Sequence, residues 1–297
     1  MNLDTAINMA GLSLRFGLVK RATAHADGCT PESDTTHTHM LSMLVLEQAQ
    51  AEGLDPLLCC ALVQVHDLPE VGAGDTDTAF GLTDEQRLDK HAREAAALAQ
   101  LRVELAGTRV LELLELYERQ DTREAQLVRL LDKITPKLTH MHNQLATIFN
   151  RGASVADLRA SHQRQGAELE RLYPWAKATL ALFWQASEAA EKLGEEVECE
   201  RQVAAQSDQA PPGWRSWPEI RAAASVGEEI CGSPDVAEVI DHLQEVASDH
   251  PANAMGEFIS PRLLDVGLRE MALQLRPGRQ WLACMRRELG IDPGEPS

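Results

Sequence analysis

The sequence predicts an all-α protein, and three observations carry that expectation. Aromatic residues make up only 4% of the 297 residues, while Ala, Leu, Glu and Gln are abundant, a composition that favours helix over strand. Apolar side chains recur at spacings of three and four through residues 39–50, 56–68, 84–104, 109–118 and 123–148. No stretch alternates long enough to read as a convincing strand.

Taken in order, the helical block is expected to run to about Gly194, with polar breaks near 26–35, 72–83, 106–108 and 151–154. Residues 188–200 are acid-rich and 206–218 hold three prolines, so the pattern reads as a helix entering a linker. Beyond it, Ser216-Trp-Pro-Glu219, Ser233-Pro234 and Ser260-Pro261 each place a capping hydroxyl beside a proline at a helix start. The expected organisation is a domain over 1–195, an acidic, proline-containing linker over 196–218, and a smaller helical module over 219–297.

The chain carries 46 acids against 28 bases, a net charge of −18, which excludes general nucleic-acid binding through clustered cations. Hydrophobic residues at 44% suffice for a sizeable core. No segment approaches the ~18 apolar residues of a membrane span. The first residues lack the basic lead of a signal peptide, and the six cysteines are too sparse for a disulfide framework. A soluble, cytoplasmic protein with no membrane partner is expected.

The residues that carry chemistry lie between His37 and Asp132. His66-Asp67 closes the apolar run 56–68, and Glu70 lies four residues after His66, on the same face if the helix continues through Pro69. An imidazole beside a carboxylate makes a mixed nitrogen and oxygen site for a divalent ion; a helix end capped by a charge reads the same way. His37 opens the preceding apolar helix. Asp132 sits deep in the apolar face of 123–148, where an unpaired carboxylate is costly and a metal would compensate it. Pro136 removes the donor for the Asp132 carbonyl, which predicts a kink. His140 and His142 read as surface or packing residues, Cys59 and Cys60 as core, and His39 as pointing elsewhere on its helix.

The pattern His37 … His66-Asp67 … Asp132 resembles the HD-domain metal-dependent phosphohydrolases. The strings HDLPEVGAGDT and REAQLVRLLDK are similar to those of YfbR-like 5′-deoxynucleotidases and DatZ-type phage deoxynucleotide phosphohydrolases. The resemblance covers about residues 11–150. It implies an HD-domain helical bundle in which His37, His66, Asp67 and Asp132 bind one divalent cation, whether Co, Mn, Zn or Mg. Glu70 and Asp75 would then serve the attacking water and the leaving group. Arg21, favoured by its flanking residues, or Arg15 would match the phosphate-contacting arginine, with Lys20 a further phosphate contact and Lys133 either an ion-pair partner or another. The implied activity is hydrolysis of deoxynucleotides by a metal-activated water, to phosphate or to triphosphate, in a homodimer or larger assembly. The alternatives are an inactive HD nucleotide sensor or assembly module, and an alarmone hydrolase, which carries an acid pair where this chain reads Glu70-Val71. Two departures stand out. Relatives usually carry an acid just before the first histidine, where this chain has Thr36, and a tryptophan after the arginine, where it has Ala22.

Overall fold

The computed structural model describes residues 2–26, 28, 30–206, 214–231, 239–241, 243, 244, 247, 258–274 and 285–289. The chain divides into two units, Met1–Ala26 with Thr30–Lys192, and Asp27–Cys29 with Leu193–Ser297.

The first unit opens with α1 (Leu3–Phe16), a short hairpin of β1 (Lys20–Ala24) and β2 (Pro31–Ser33), and α2 (Asp34–Ala51). It continues with α3 (Pro56–Val63), α4 (Glu70–Ala73), α5 (Asp84–Glu104) and α6 (Arg109–Arg119). Then come α7 (Arg123–His142), α8 (Ala146–Asn150), α9 (Val155–Leu172) and α10 (Lys177–Gln206), whose residues from Leu193 on belong to the second unit. The all-α expectation holds. Helix starts are written into the chain: the Ser33 side chain accepts from Thr36 N–H, Asp55 from Leu57 and Leu58, and Thr122 from Ala125. Such a cap contributes about 1 kcal/mol. Thr83 with Gln86, and Ser154 with Asp157, close reciprocal capping boxes.

Helix α7 is the centre of the packing. Leu127, Val128, Leu130, Leu131 and Ile134 have no exposed surface and meet Leu41 and Val45 of α2, Leu62 and Val63 of α3, and Phe183 of α10. Each such side chain contributes roughly 2 kcal/mol by leaving water. Cys59 and half-buried Cys60 sit in or against the same core as free thiols, as expected.

Three local features depart from the sequence expectation. The run 56–68 is helical only to Val63, and 64–69 form turns before α4, so His66 and Glu70 do not ride one continuous helix. The run 123–148 breaks after His142, because Gln144 and Leu145 adopt φ of 52° and 60°, and α8 begins after them. Helix α7 does continue through Pro136. The third departure is the β1–β2 hairpin, paired antiparallel from Lys20 against Ser33 to Ala24 against Pro31. It is too short to alternate visibly and is held from outside: Ala24 N–H donates to Thr147 Oγ1 (3.1 Å), and Asn143 Nδ2 to Ala24 O (2.8 Å).

Gly166 of α9 is where the Trp184 ring of α10 lies against backbone, and a Cβ there would overlap the ring. Gly166→Ala is expected to lower stability by about 1–3 kcal/mol through overpacking, read as a drop in Tm. Pairing it with Trp184→Leu should recover part of the loss; a double variant as unstable as the two changes added would show that the ring is not the cause.

In the second unit, β3 (Arg215–Ser216) pairs antiparallel with β4 (Phe258–Ile259), ahead of α11 (Trp217–Cys231) and α12 (Pro261–Gln274) respectively. Two of the three start signals are realised. Ser216 N–H and Oγ both donate to Glu219 (2.8 Å each), and Leu263 N–H donates to Ser260 Oγ (3.2 Å). Ser233-Pro234 lies outside the described residues. Helix α10 runs to Gln206, into the segment read as linker, and 207–213 lie outside the described residues.

Candidate metal centre

Four ligand atoms converge from three places in the chain. His37 comes from the first turns of α2, His66 and Asp67 from the 64–69 turns, and Asp132 from the buried face of α7. All four atoms lie within 4.8 Å of one another. His37 Nε2 is 3.0 Å from Asp132 Oδ1 and 3.8 Å from Asp67 Oδ2. His66 Nε2 is 2.9 Å from Asp67 Oδ2 and 4.0 Å from Asp132 Oδ1. Both histidines and Asp132 are buried.

The chemistry of this cluster suits a cation. His66 donates Nδ1–H to Val63 O at 2.7 Å, which leaves Nε2 as the inward-facing nitrogen. That Nε2 is buried and makes no hydrogen bond, although a carboxylate oxygen stands 2.9 Å away. Burial pulls the His66 pKa down, but Asp67 and Asp132 outweigh it and leave it raised. Burial likewise works to raise Asp67 and Asp132. The neighbouring His66 for the one, and Lys133 and His37 for the other, hold both below the ordinary carboxylate range. His37 is pushed down, chiefly by burial. Two carboxylates and two imidazoles thus crowd one point, and a divalent ion there would be held by one atom from each.

A second acidic group adjoins the first, formed by Asp34, Asp67 and Glu70. Its cation is Arg21. The guanidinium Nη1 donates to Asp67 (2.8 Å) and Asp34 (3.1 Å) and stands 3.6 Å from Glu70. Burial works against its charge, yet the surrounding carboxylates hold its pKa above the ordinary arginine value. Burial and the Asp67 charge push the Glu70 carboxyl up to about 10. Asp34 rises to about 6, and Glu32 to about 7, both first through burial.

The remaining sequence candidates separate cleanly. Asp75, after Gly74 at φ 71°, accepts from Ala22 N–H at 2.9 Å and faces the same space as Arg21 and Lys133. Lys133 donates to Asp132 Oδ2 at 2.8 Å. Arg15 is not brought to the cluster: it lies on α1, half exposed, and pairs with Glu104 of α5. Lys20 is exposed on β1 and, with Arg15, is absent from the walls of both cavities at the site, as is exposed His39. Of the expected cationic contacts, Arg21 and Lys133 remain.

Several residues at the site went unread in the sequence. Asp34 sits three residues before His37, so one helix face carries both, a spacing that could have flagged it. Its buried carboxylate contacts Arg21 although Thr36 carries no charge. Tyr117 of α6 packs its ring edge-on against His66 at 5.9 Å, but looks in sequence like any apolar-face residue. Of the two histidines read as surface or packing residues, His140 is buried on a cavity wall and His142 is exposed. An outer cavity of about 540 Å³ opens over His66, Asp67, Glu70 and Asp132. An inner one of about 100 Å³ follows α7 towards His140, and Arg21, Asp75, Asp132 and Lys133 line both.

A helical bundle presenting His, His-Asp and Asp to one point defines a class. The family model of the HD domain matches residues 14–172, more than half of the chain, and the chain belongs to that family. It is similar to the 5′-deoxynucleotidase HDDC2 of Xenopus laevis, 34% identical over 106 residues, which are 35% of this chain and 51% of that protein. The Bos taurus protein of the same name is 35% identical over 106 residues, 35% of this chain and 50% of its own length. The chain thus spans about half the length of the curated relatives it matches. The crystal structure of a predicted metal-dependent phosphohydrolase from Magnetospirillum magnetotacticum MS-1 overlays with a TM-score of 0.48 at 23% identity, covering 64% of this chain and 94% of that one.

Proposed function

We propose that the chain is a metal-dependent phosphohydrolase that releases phosphate from deoxynucleoside 5′-monophosphates. One observation carries the reading: four ligand atoms lie within 4.8 Å of one another, and three of their residues, His66, Asp67 and Asp132, line a cavity walled also by Arg21, Lys133 and Asp75. The name shared by the relatives, 5′-deoxynucleotidase, selects the substrate class.

His37, His66, Asp67 and Asp132 would hold the divalent ion. When bound, the ion supplies Lewis-acid stabilisation of the phosphoryl oxygens and lowers the pKa of water. With the ion bound, its charge would favour the Glu70 carboxylate, which would then take a proton from the attacking water. Asp75, on the cavity wall with Arg21, gives a proton to the departing 5′-oxygen as the P–O ester bond breaks. Arg21 and Lys133 bind the phosphate. We assign this chemistry to residues 1–195, and the division of the chain after Lys192 supports that boundary, since every one of these residues precedes it.

The test is direct. Metal-stripped protein is supplied with Mn²⁺, Co²⁺, Mg²⁺ or Zn²⁺ and a panel of deoxynucleoside mono- and triphosphates, and the released species is identified. Inorganic phosphate from monophosphates is the expected product. Triphosphate released from triphosphates alone would move the activity to a triphosphohydrolase, and no turnover with any ion would overturn the reading.

A further inference from the structure

Asp75 lies on no helix or strand, so its place is set by what holds the chain around it. Helix α4 ends at Ala73, and Gly74 turns the chain at φ 71° into a stretch that runs without regular structure to 78. Four elements tie that stretch down from outside. From α5, Arg93 donates to Ala73 O and to Thr76 Oγ1 (3.0 Å for the second). From β1, Ala22 N–H donates to Asp75 Oδ2 (2.9 Å). From α9, Ser161 Oγ donates to Ala79 O. From the end of α8, Arg151 Nη1 meets Asp77 Oδ2 at 2.5 Å.

Arg151 also reaches a second partner. Its Nη2 donates to Ala22 O at 2.6 Å, so one planar guanidinium spans the strand that carries Arg21 and the stretch that carries Asp75. Ala22 lies in the irregular part of β1, between the registered pairs Lys20–Ser33 and Ala24–Pro31, and its N–H and C=O both serve this junction. A closed ring results, from Asp75 to Ala22 N–H, from Ala22 O to Arg151, from Arg151 to Asp77, and back along the chain. Arg151 stands on a firm base: it follows α8, whose Ala146, Thr147, Ile148 and Phe149 are buried. With its side chain 26% exposed, a single ion pair would hold it weakly; the fork to two partners fixes its direction. Arg151 lines the inner cavity and is absent from the walls of the outer one over the metal ligands.

Resting on the phosphohydrolase reading, with Asp75 as proton donor to the departing 5′-oxygen, we infer that Arg151 is the residue that positions Asp75 for that transfer, by locking its segment to the Arg21 strand. The requirement is one of distance. Arg21 binds the phosphoryl group, so β1 sets where the breaking P–O bond lies. A proton donor on a separate segment serves only at a fixed spacing from β1, and a displacement of about 1 Å can cost about a hundredfold in rate. Ala22 N–H occupies Asp75 Oδ2, and the other carboxyl oxygen is left to carry the proton.

The leaving group separates this role from a general one. An alkoxide departs slowly without a proton, whereas 4-nitrophenolate is stable enough to depart alone, so a general acid matters for the first and little for the second. In the full chain loaded with Mn²⁺, Arg151→Met should lower kcat/KM for a deoxynucleoside 5′-monophosphate by about thirtyfold to a hundredfold. It should leave 4-nitrophenyl phosphate within about threefold. Asp75→Asn should show the same split, and the double variant should be no worse than Asp75→Asn alone, since the two side chains act as one unit. Arg151→Lys should recover only part of the loss, because an ammonium cannot serve both partners as a planar fork does. Should Arg151→Met fail to fold, read by far-UV circular dichroism, Asp77→Asn cuts the same tie at a half-exposed side chain, and a smaller split in the same direction is expected. Equal losses with both esters, additive losses in the double variant, or an Arg151→Met protein as active as its parent would each overturn the inference. If monophosphates are hydrolysed but Asp75→Asn shows no split, the activity stands, while the role of Asp75 falls and the inference with it. If no ester is turned over with any ion, the proposed activity itself falls, and the inference with it.

Discussion

Asp132→Asn is expected to lower turnover by about a thousandfold or more and to abolish tight binding of a divalent ion, while the helices remain folded. The carboxylate stands 3.0 Å from His37 Nε2 and accepts from Lys133 at 2.8 Å. It sits on a helix whose neighbouring leucines are fully buried, so its position is fixed by packing rather than by the ion. The neutral amide keeps the shape and loses the charge that a dication requires. Metal content after dialysis, measured beside far-UV circular dichroism and phosphate release, separates loss of site from loss of fold. His142→Ala is the control, since that side chain is exposed and lines neither cavity. A variant that keeps full metal content and full turnover would remove Asp132 from the site.

The sequence made the scaffold legible because helices announce themselves locally. Spacings of three and four place Leu127, Leu131 and Ile134 on one face, and Thr122 and Ser33 mark the starts. The site was legible where a residue type is costly in its setting, as with Asp132 in an apolar stripe. What stayed hidden depends on contacts distant in sequence. Nothing near Arg21 reveals that it turns inward to Asp34 and Asp67, thirteen and forty-six residues away. Arg15, equally basic and near in sequence, instead pairs with Glu104 at the surface. The break after His142 was unreadable for another reason: Gln144 and Leu145 adopt positive φ without a glycine to signal it. The inner cavity requires β1, α7 and α9 together, so no single stretch encodes it.

Arg21→Met is the second large effect expected, and it falls on folding as well as on turnover. The buried guanidinium is the counter-ion that Asp34, Asp67 and Glu70 share; breaking such a buried pairing typically costs about 3 kcal/mol. The pH dependence identifies the cause. Asp34 and Glu70 are raised in the folded protein, to about 6 and about 10, so folding binds protons. The stability they contribute is full below the unfolded carboxylate range and is lost as pH rises through the folded values. Removing Arg21 raises both further, so the penalty should be greatest above pH 7 and shrink below about pH 6, where Asp34 takes up its proton. Denaturant titrations of the metal-free protein at pH 5 and pH 8 read this difference. A penalty equal at both would mean that Arg21 stabilises by packing alone. In metal-loaded protein the ion supplies part of the missing charge, so stability should recover with Mn²⁺ while turnover does not, because the phosphate still lacks its arginine. Arg21→Lys should restore stability more than turnover: a point charge can offset the carboxylates, but it cannot match the planar fork that meets two of them and a phosphate at once.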